Sequence, residues 1–113
     1  MKKIIIANWK CNPTTLKEAQ KMLVALKVGA KNAKAEIVIC PPFVYLPEAA
    51  RILKPLGVKL GGQDCFWEEK GAFTGEVSPY MLKDLGIKYV IVGHSERRGL
   101  MGEDEEMLNK KLR

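Results

Sequence analysis

Four short apolar runs constrain this chain more than anything else in it: Lys3–Ala7 (KIIIA), Glu36–Cys40 (EIVIC), Val58–Leu60 and Tyr89–Val92 (YVIV). A strand with one wet face alternates apolar and polar residues. A run that is apolar at nearly every position suits a strand covered on both faces, as in a parallel sheet. Between the runs the pattern turns helical. Asn12-Pro13 breaks the chain, Thr15-x-x-Glu18 supplies a capping box, and Leu16, Ala19, Leu23 and Leu26 fall on one face of a helix that Gly29 can stop. A second helix is predicted from near Pro47, with Ala50, Leu53 and Leu56 apolar and Gly57 at its end. After a glycine-rich segment from Gly61 to Val77, Ser78-Pro79 reads as N-cap and first helical residue, with Gly86 as the C-terminal cap. The last helix starts in the acidic stretch Glu103–Glu106 and ends in Lys110, Lys111 and Arg113, which complements its dipole.

The order is therefore β-α-β-α-β-α-β-α, with right-handed parallel crossovers. Two α/β architectures share that rhythm. One is a small doubly wound open sheet, and the other is half of an eight-stranded barrel, whose usual length is about 250 residues. A glycine-rich phosphate fingerprint after the first strand would favour the open sheet, but Asn8–Asn12 contains no glycine. The pattern leans to the half-barrel, so residues 1–113 are expected to form a single half-barrel domain of four βα units. Such an arc leaves its first and fourth strands unpaired. The inner faces of Ile4, Ile6, Ile37, Ile39, Val90 and Val92 cannot all be covered by four strands, which predicts a homo-oligomer, most simply a dimer.

Composition narrows the function. With 47% hydrophobic and 28% charged residues the chain is ordinary globular material. No apolar run approaches the roughly 18 residues of a spanning helix, so no membrane role is expected. The apolar stretch after Lys2-Lys3 is too short for a secretory signal. Cys11, Cys40 and Cys65 are odd in number and lack a CxxC spacing, which argues against a disulfide framework or a metal site and fits a cytoplasmic setting. The net charge of +6 is spread along helices, in Lys17, Lys21, Lys27, Lys31 and Lys34 and again at Lys110, Lys111 and Arg113. Aromatic residues do not interleave with these bases, so solvated helix faces are expected rather than a nucleic-acid surface.

Ligands of parallel α/β folds sit at the carboxyl ends of the strands. There stand Asn8, Trp9 and Lys10 after the first strand, Gln63 and Asp64 after the third, and His94, Ser95, Glu96, Arg97 and Arg98 after the fourth. His94, the only histidine, is as well placed to cap the short helical turn that follows as to donate to a substrate oxygen. A helix N-terminus there would favour its neutral form. Lys10 alternates with Asn8, so an ammonium and a carboxamide can face one anionic, oxygen-rich ligand. Glu96 can pair with Lys10 or Arg97, as a structural ion pair or as part of catalysis, and Trp9 is read as packing. The segment Gly71–Ser78 (GAFTGEVS) is too apolar at Phe73 for a casual solvent loop, and either docks on a second subunit or folds back on its own core.

Asn8-Trp9-Lys10-Cys11-Asn12, GAFTGEVS and Val92–Arg98 (VGHSERR) together resemble the triosephosphate isomerase family, in the right order and over the whole chain. Cys11 stands where many members carry methionine. The resemblance implies the amino-terminal (β/α)4 half of a TIM (β/α)8 barrel, parallel strands with outer helices. It implies interconversion of glyceraldehyde 3-phosphate and dihydroxyacetone phosphate, without a cofactor or metal. His94 would be the neutral electrophile, Lys10 the cation that binds the substrate phosphate, and Asn8 the group that orients the lysine and the substrate. Glu96 would hold Lys10 by an ion pair, and Ser95 would help to position the catalytic base. Phe73, Thr74, Gly75 and Glu76 would cross a dimer interface.

The family's proton-abstracting glutamate, its lid and its phosphate-binding amides follow later strands. Isolated chains are accordingly expected to be inactive, because a missing general base alone costs about 10²–10⁴ in rate. The expected partner is a complementary carboxyl-terminal half or a second copy of the chain. The alternative is a self-associating scaffold without catalysis, or a binding module for anionic metabolites.

Overall fold

The computed structural model describes residues 2–113; Met1, the first residue of the basic start, lies outside the described residues. Strands β1 (Ile4–Asn8), β2 (Glu36–Cys40), β3 (Lys59–Gly62) and β4 (Tyr89–Val90) form one sheet in chain order, and every neighbouring pair is parallel. That order decides between the two architectures. A doubly wound sheet reverses its direction of growth at a switch point, whereas a barrel adds each strand beside the last. The fold is α/β, a partial (β/α)8 barrel carrying its first four strands.

Helices α1 (Leu16–Gly29), α2 (Leu46–Leu53) and α3 (Pro79–Asp84) fill the connections between strands, and α4 (Ser95–Leu100) and α5 (Glu105–Leu112) follow β4. Four begin at side-chain caps: Thr15 Oγ1 accepts the Glu18 N–H, Ser78 Oγ accepts that of Tyr80, His94 Nδ1 accepts that of Glu96, and Asp104 Oδ1 accepts that of Met107. Each cap satisfies a backbone donor that the helix itself cannot, an effect worth about 1 kcal/mol. Gly86 ends α3 at φ +80°, a conformation that a side chain would strain.

The core lies on the helix side of the sheet, where Ile39 and Leu60 meet Leu23 of α1, Leu46, Ala49 and Leu53 of α2, and Leu82 of α3. Two helix faces differ from expectation. Leu16 is half exposed at the open start of α1. In α2 the buried row is Leu46, Ala49 and Leu53, because the helix tightens into a 3₁₀ turn at Lys54–Leu56 and swings Leu56 outward. β4 stops at Val90, two residues short of the expected run. Only its β3 side has a partner, and the Ile91 N–H still reaches the Gly62 carbonyl at 2.8 Å.

Register corrects the expected inner face. β1 pairs Ile6 with Val38 and Ala7 with Ile39, so Ile4, Ile6 and Asn8 share a face with Val38 and Cys40. Ile37 and Ile39 turn to the helices instead, and Val90 joins that side through its pairing with Gly62. The predicted shortage of cover falls almost wholly on β1. Ile4, Ile5 and Ile6 are 49, 57 and 55% exposed, which leaves both faces of this edge strand wet.

Candidate active site

The carboxyl ends of the strands enclose a cleft of about 430 Å³. Asn8, Lys10, Gln63, Asp64, His94, Glu96 and Arg97 line it, with Cys11, Asn12, Phe43, Leu100 and Met101. Asn8, Lys10, His94 and Glu96 therefore converge as expected, although Asn8 and Glu96 are 88 positions apart in the chain. Ser95 does not join them: it opens α4, is exposed, and lies outside the lining.

Asn8 closes β1, and its Oδ1 accepts the backbone N–H of Lys10 at 2.9 Å. Lys10 sits at φ +60°, the only positive value among the described non-glycine residues. Such a conformation is costly and persists where its surroundings fix it. Strand alternation is thus not what brings the two side chains together; a strained turn beyond the strand does so. Lys10 Nζ lies 3.4 Å from Glu96 Oε2, and both side chains are about half exposed at 54 and 48%. A pair so open to water is weak, so a bound anion can compete for the ammonium.

His94 is the N-cap of α4. Its Nδ1 accepts the Glu96 N–H at 3.1 Å, and the ring also lines the cleft. The two readings of this histidine, helix cap and ligand contact, are therefore compatible. Nδ1 also comes within 3.4 Å of Glu96 Oε1. An acceptor nitrogen carries no proton, so this approach is no ion pair, and the ring's proton resides on Nε2. The arrangement leaves one imidazole N–H free to donate to a ligand oxygen, opposite an ammonium.

A second constellation braces the cleft, and the sequence reading missed it. Arg97 does not pair with Glu96. Its guanidinium reaches Asp64 Oδ2 at 3.1 Å and Glu103 Oε2 at 3.1 Å. Lys111 Nζ closes the group at 2.7 Å from Asp64 and 2.6 Å from Glu103. Lys111 is thus not part of a solvated helix face: its side chain is 2% exposed and that of Glu103 is fully buried. Glu103 also lies ahead of α5, not in it, and close to the strand ends. Burial pushes the Glu103 carboxyl up, but hydrogen bonds from Lys111 and Arg97 outweigh it and hold the group below its usual range. Burial likewise lowers Lys111, and the hydrogen bonds to Asp64 and Glu103 more than restore it, leaving it raised.

The segment from Phe73 to Glu76 lies outside the cleft lining. Phe73 folds partly back on Phe66, with ring centroids 4.7 Å apart, yet stays 41% exposed. Thr74, Gly75 and Glu76 lie on the surface, and Gly75 takes φ +92° at the tip. Trp9 packs against the core as expected.

The family model described as triosephosphate isomerase matches residues 3–113. The chain belongs to the triosephosphate isomerase family. A triosephosphate isomerase from Thermoanaerobacter pseudethanolicus is 53% identical over 109 residues, covering 96% of this chain and 44% of the relative. One from Dictyoglomus thermophilum is 48% identical over 112 residues, covering 99% of the chain and 45% of the relative. The chain thus spans less than half the length of these curated relatives. No described helix is long and apolar enough to cross a membrane.

Proposed function

We propose that this chain supplies one half of a triose phosphate isomerisation site: Lys10 to hold the phosphate-bearing substrate, Asn8 to fix its orientation, and His94 to polarise its carbonyl. The observation that carries this reading is the convergence of the His94 imidazole and the Lys10 ammonium on one cleft, with Nδ1 occupied by the Glu96 N–H. That hydrogen bond leaves a neutral ring with its donor free, as an electrophile for an enediolate requires. A neutral histidine in this role is known from triosephosphate isomerase itself, so the chemistry is the family's own, carried over to this chain. Glu96 holds Lys10 between turnovers. Ser95 helps to position the proton-abstracting base, acting from outside the cleft lining.

Proton abstraction needs a carboxylate at the reacting carbon, and the cleft's two acids are poorly placed to supply it. Asp64 is held by Arg97 and Lys111, and Glu96, even when a bound anion draws Lys10 away, lies 3.4 Å from His94 Nδ1, on the opposite edge of the ring from the Nε2 donor. These 113 residues by themselves are accordingly expected to be inactive, with the base coming from another segment or another chain. Residues 1–113 act as one half-barrel domain, in a cytoplasmic, glycolytic setting. Phe73, Thr74, Gly75 and Glu76 form a contact loop between subunits.

A second reading has its own support in the bare β1 edge. Ile4, Ile5 and Ile6 need cover, which a second copy of this chain or a complementary half can provide. A self-associating anion-binding half-barrel without catalysis would satisfy the same exposed face.

The test is a coupled assay for interconversion of glyceraldehyde 3-phosphate and dihydroxyacetone phosphate. It is run on the chain alone and on the chain mixed with the remaining segment of the Thermoanaerobacter pseudethanolicus relative. The expected result is no turnover alone and turnover in the mixture that His94→Gln abolishes. Turnover by the chain alone, lost in His94→Gln, overturns the claim of inactivity. A stable but inert mixed complex favours the scaffold.

A further inference from the structure

We propose that Gln63 is a positioning residue for the Lys10 ammonium. Gln63 ends the β3 side of the cleft, one residue past the strand, and is half-buried. Its Nε2 donates to the Lys10 carbonyl at 2.8 Å and to the Cys40 carbonyl, also at 2.8 Å. One side-chain amide therefore joins the turn after β1 to the ends of β2 and β3. A primary amide carries two N–H donors, so both bonds can be made at once.

The need for such a tie comes from the backbone of Lys10. At φ +60° this lysine occupies a region that side chains avoid, and it relaxes unless held. Its N–H is bound by Asn8, but Asn8 belongs to the same turn and lies only two residues away. That bond shapes the turn without fixing it relative to the neighbouring strands. The Trp9 N–H reaches the Cys40 carbonyl at 3.1 Å and anchors the chain one residue too early to set Lys10 itself. Gln63 binds the Lys10 peptide directly, from a strand two places away in the sheet. The Lys10 side chain leaves that peptide and crosses the cleft to Glu96. If the peptide turns over, the ammonium swings out of reach of Glu96 and of any anion beside His94.

The choice of residue type follows. A glutamate at this position would set carboxylate oxygens against two carbonyl oxygens, and a methionine would fill the space without donating. An asparagine falls a methylene short. Of these four side chains, the glutamine alone has both the length and the donor pair to satisfy the two carbonyls, and it does so without adding charge.

The inference rests on the proposed function in taking inorganic phosphate as the probe anion, and the test separates the two. The chain and its Gln63→Met variant are compared by NMR. One readout is the nuclear Overhauser contact between the Lys10 ε-methylene and the Glu96 γ-methylene, measured without ligand. The other is phosphate affinity, from the shift of the Lys10 ε-carbon during titration, with Lys10→Met as the control for binding at the cleft. We expect Gln63→Met to lose the Overhauser contact and to weaken phosphate binding roughly tenfold, while the His94 ring signals stay in place. Retention of both the contact and the affinity in Gln63→Met overturns the inference. If wild type and Lys10→Met bind phosphate equally, the proposed function fails, and the ligand-free contact alone then decides the role of Gln63. Should Gln63→Met not fold, Gln63→Asn carries the same comparison.

Discussion

His94 and Glu96 hold each other in a closed two-residue turn: the imidazole Nδ1 accepts the Glu96 N–H at 3.1 Å, and the Glu96 carboxylate reaches on to Lys10. A single hydrogen bond thus starts α4, selects the histidine tautomer and keeps the carboxylate within reach of the lysine. Replacing His94 by alanine removes the cap. We expect faster amide exchange at Glu96 and a loss of about 1 kcal/mol in stability. His94→Asn, whose side chain can also cap, should recover most of that stability. Exchange rates and thermal unfolding of the three proteins check both expectations.

The group of Asp64, Glu103 and Lys111, buried behind a one-third-exposed Arg97, gives a defined pH response. The folded state holds Glu103 below its ordinary 4.5, so its contribution is present above that value and fades as pH falls below it. Lys111 is raised above 10.5, so its contribution is complete below that value and fades as pH climbs past it. Between these limits the group is intact. Lys111→Met should cost about 3 kcal/mol near neutral pH, since it strands buried carboxylate charge. It should also remove the alkaline loss. Urea titrations at several pH values provide the measurement.

The close approach of β3 to Cys40 and Tyr89 makes a glycine necessary at Gly61, whereas the end of α1 leaves Gly29 optional. A Cβ on Gly61 would stand 2.6 Å from Cys40 Sγ and 3.3 Å from Tyr89 Cβ. Gly61→Ala should destabilise the chain by roughly 1–3 kcal/mol through overpacking. Gly29, the last residue of α1, meets nothing within 4 Å and has no positive φ. Gly29→Ala should stabilise by about 0.5–1 kcal/mol. Denaturation midpoints moving in opposite directions would bear out the contrast, and a shift in the same direction would refute it.

Thiol chemistry should be selective. Cys11 is exposed, whereas Cys40 and Cys65 are buried. Burial pushes Cys40 up to about 11 and raises Cys65, with the Asp64 charge adding to the second. Thiolate is the reactive form. Treatment with a disulfide reagent at mildly alkaline pH should modify Cys11 rapidly and reach the other two thiols only on unfolding.

The β1 edge should drive association. In sedimentation the chain is expected to run larger than a monomer, and Ile6→Lys should shift it toward the monomer by placing a charge on the exposed face. A wild-type chain that sediments as a monodisperse monomer would sink this expectation.

The alternation of apolar runs and helical patterns contains the strand count and the parallel topology, because each βα unit is encoded locally. The residues of the cleft are legible for the same reason: Asn8, Lys10, His94 and Glu96 stand where strands end, and motif order links them to a family. What the sequence conceals arises between distant elements. Lys111 sits at the basic end of a short polar helix, and nothing nearby indicates that it meets Asp64, 47 residues away. The turn at Lys10 hides in the same way. No glycine announces it, because Gln63, 53 residues on, does the holding.

The net-neutral group beneath the cleft also limits how this sequence can drift. Lys111, Glu103 and Asp64 are buried together and Arg97 closes them off from the cleft at one-third exposure, so a single change of charge among the buried three leaves an unmatched ion. Exchange at these positions is then viable mainly in pairs. The group should behave as one heritable character, with a change at Lys111 tolerated in backgrounds where Asp64 or Glu103 has already changed.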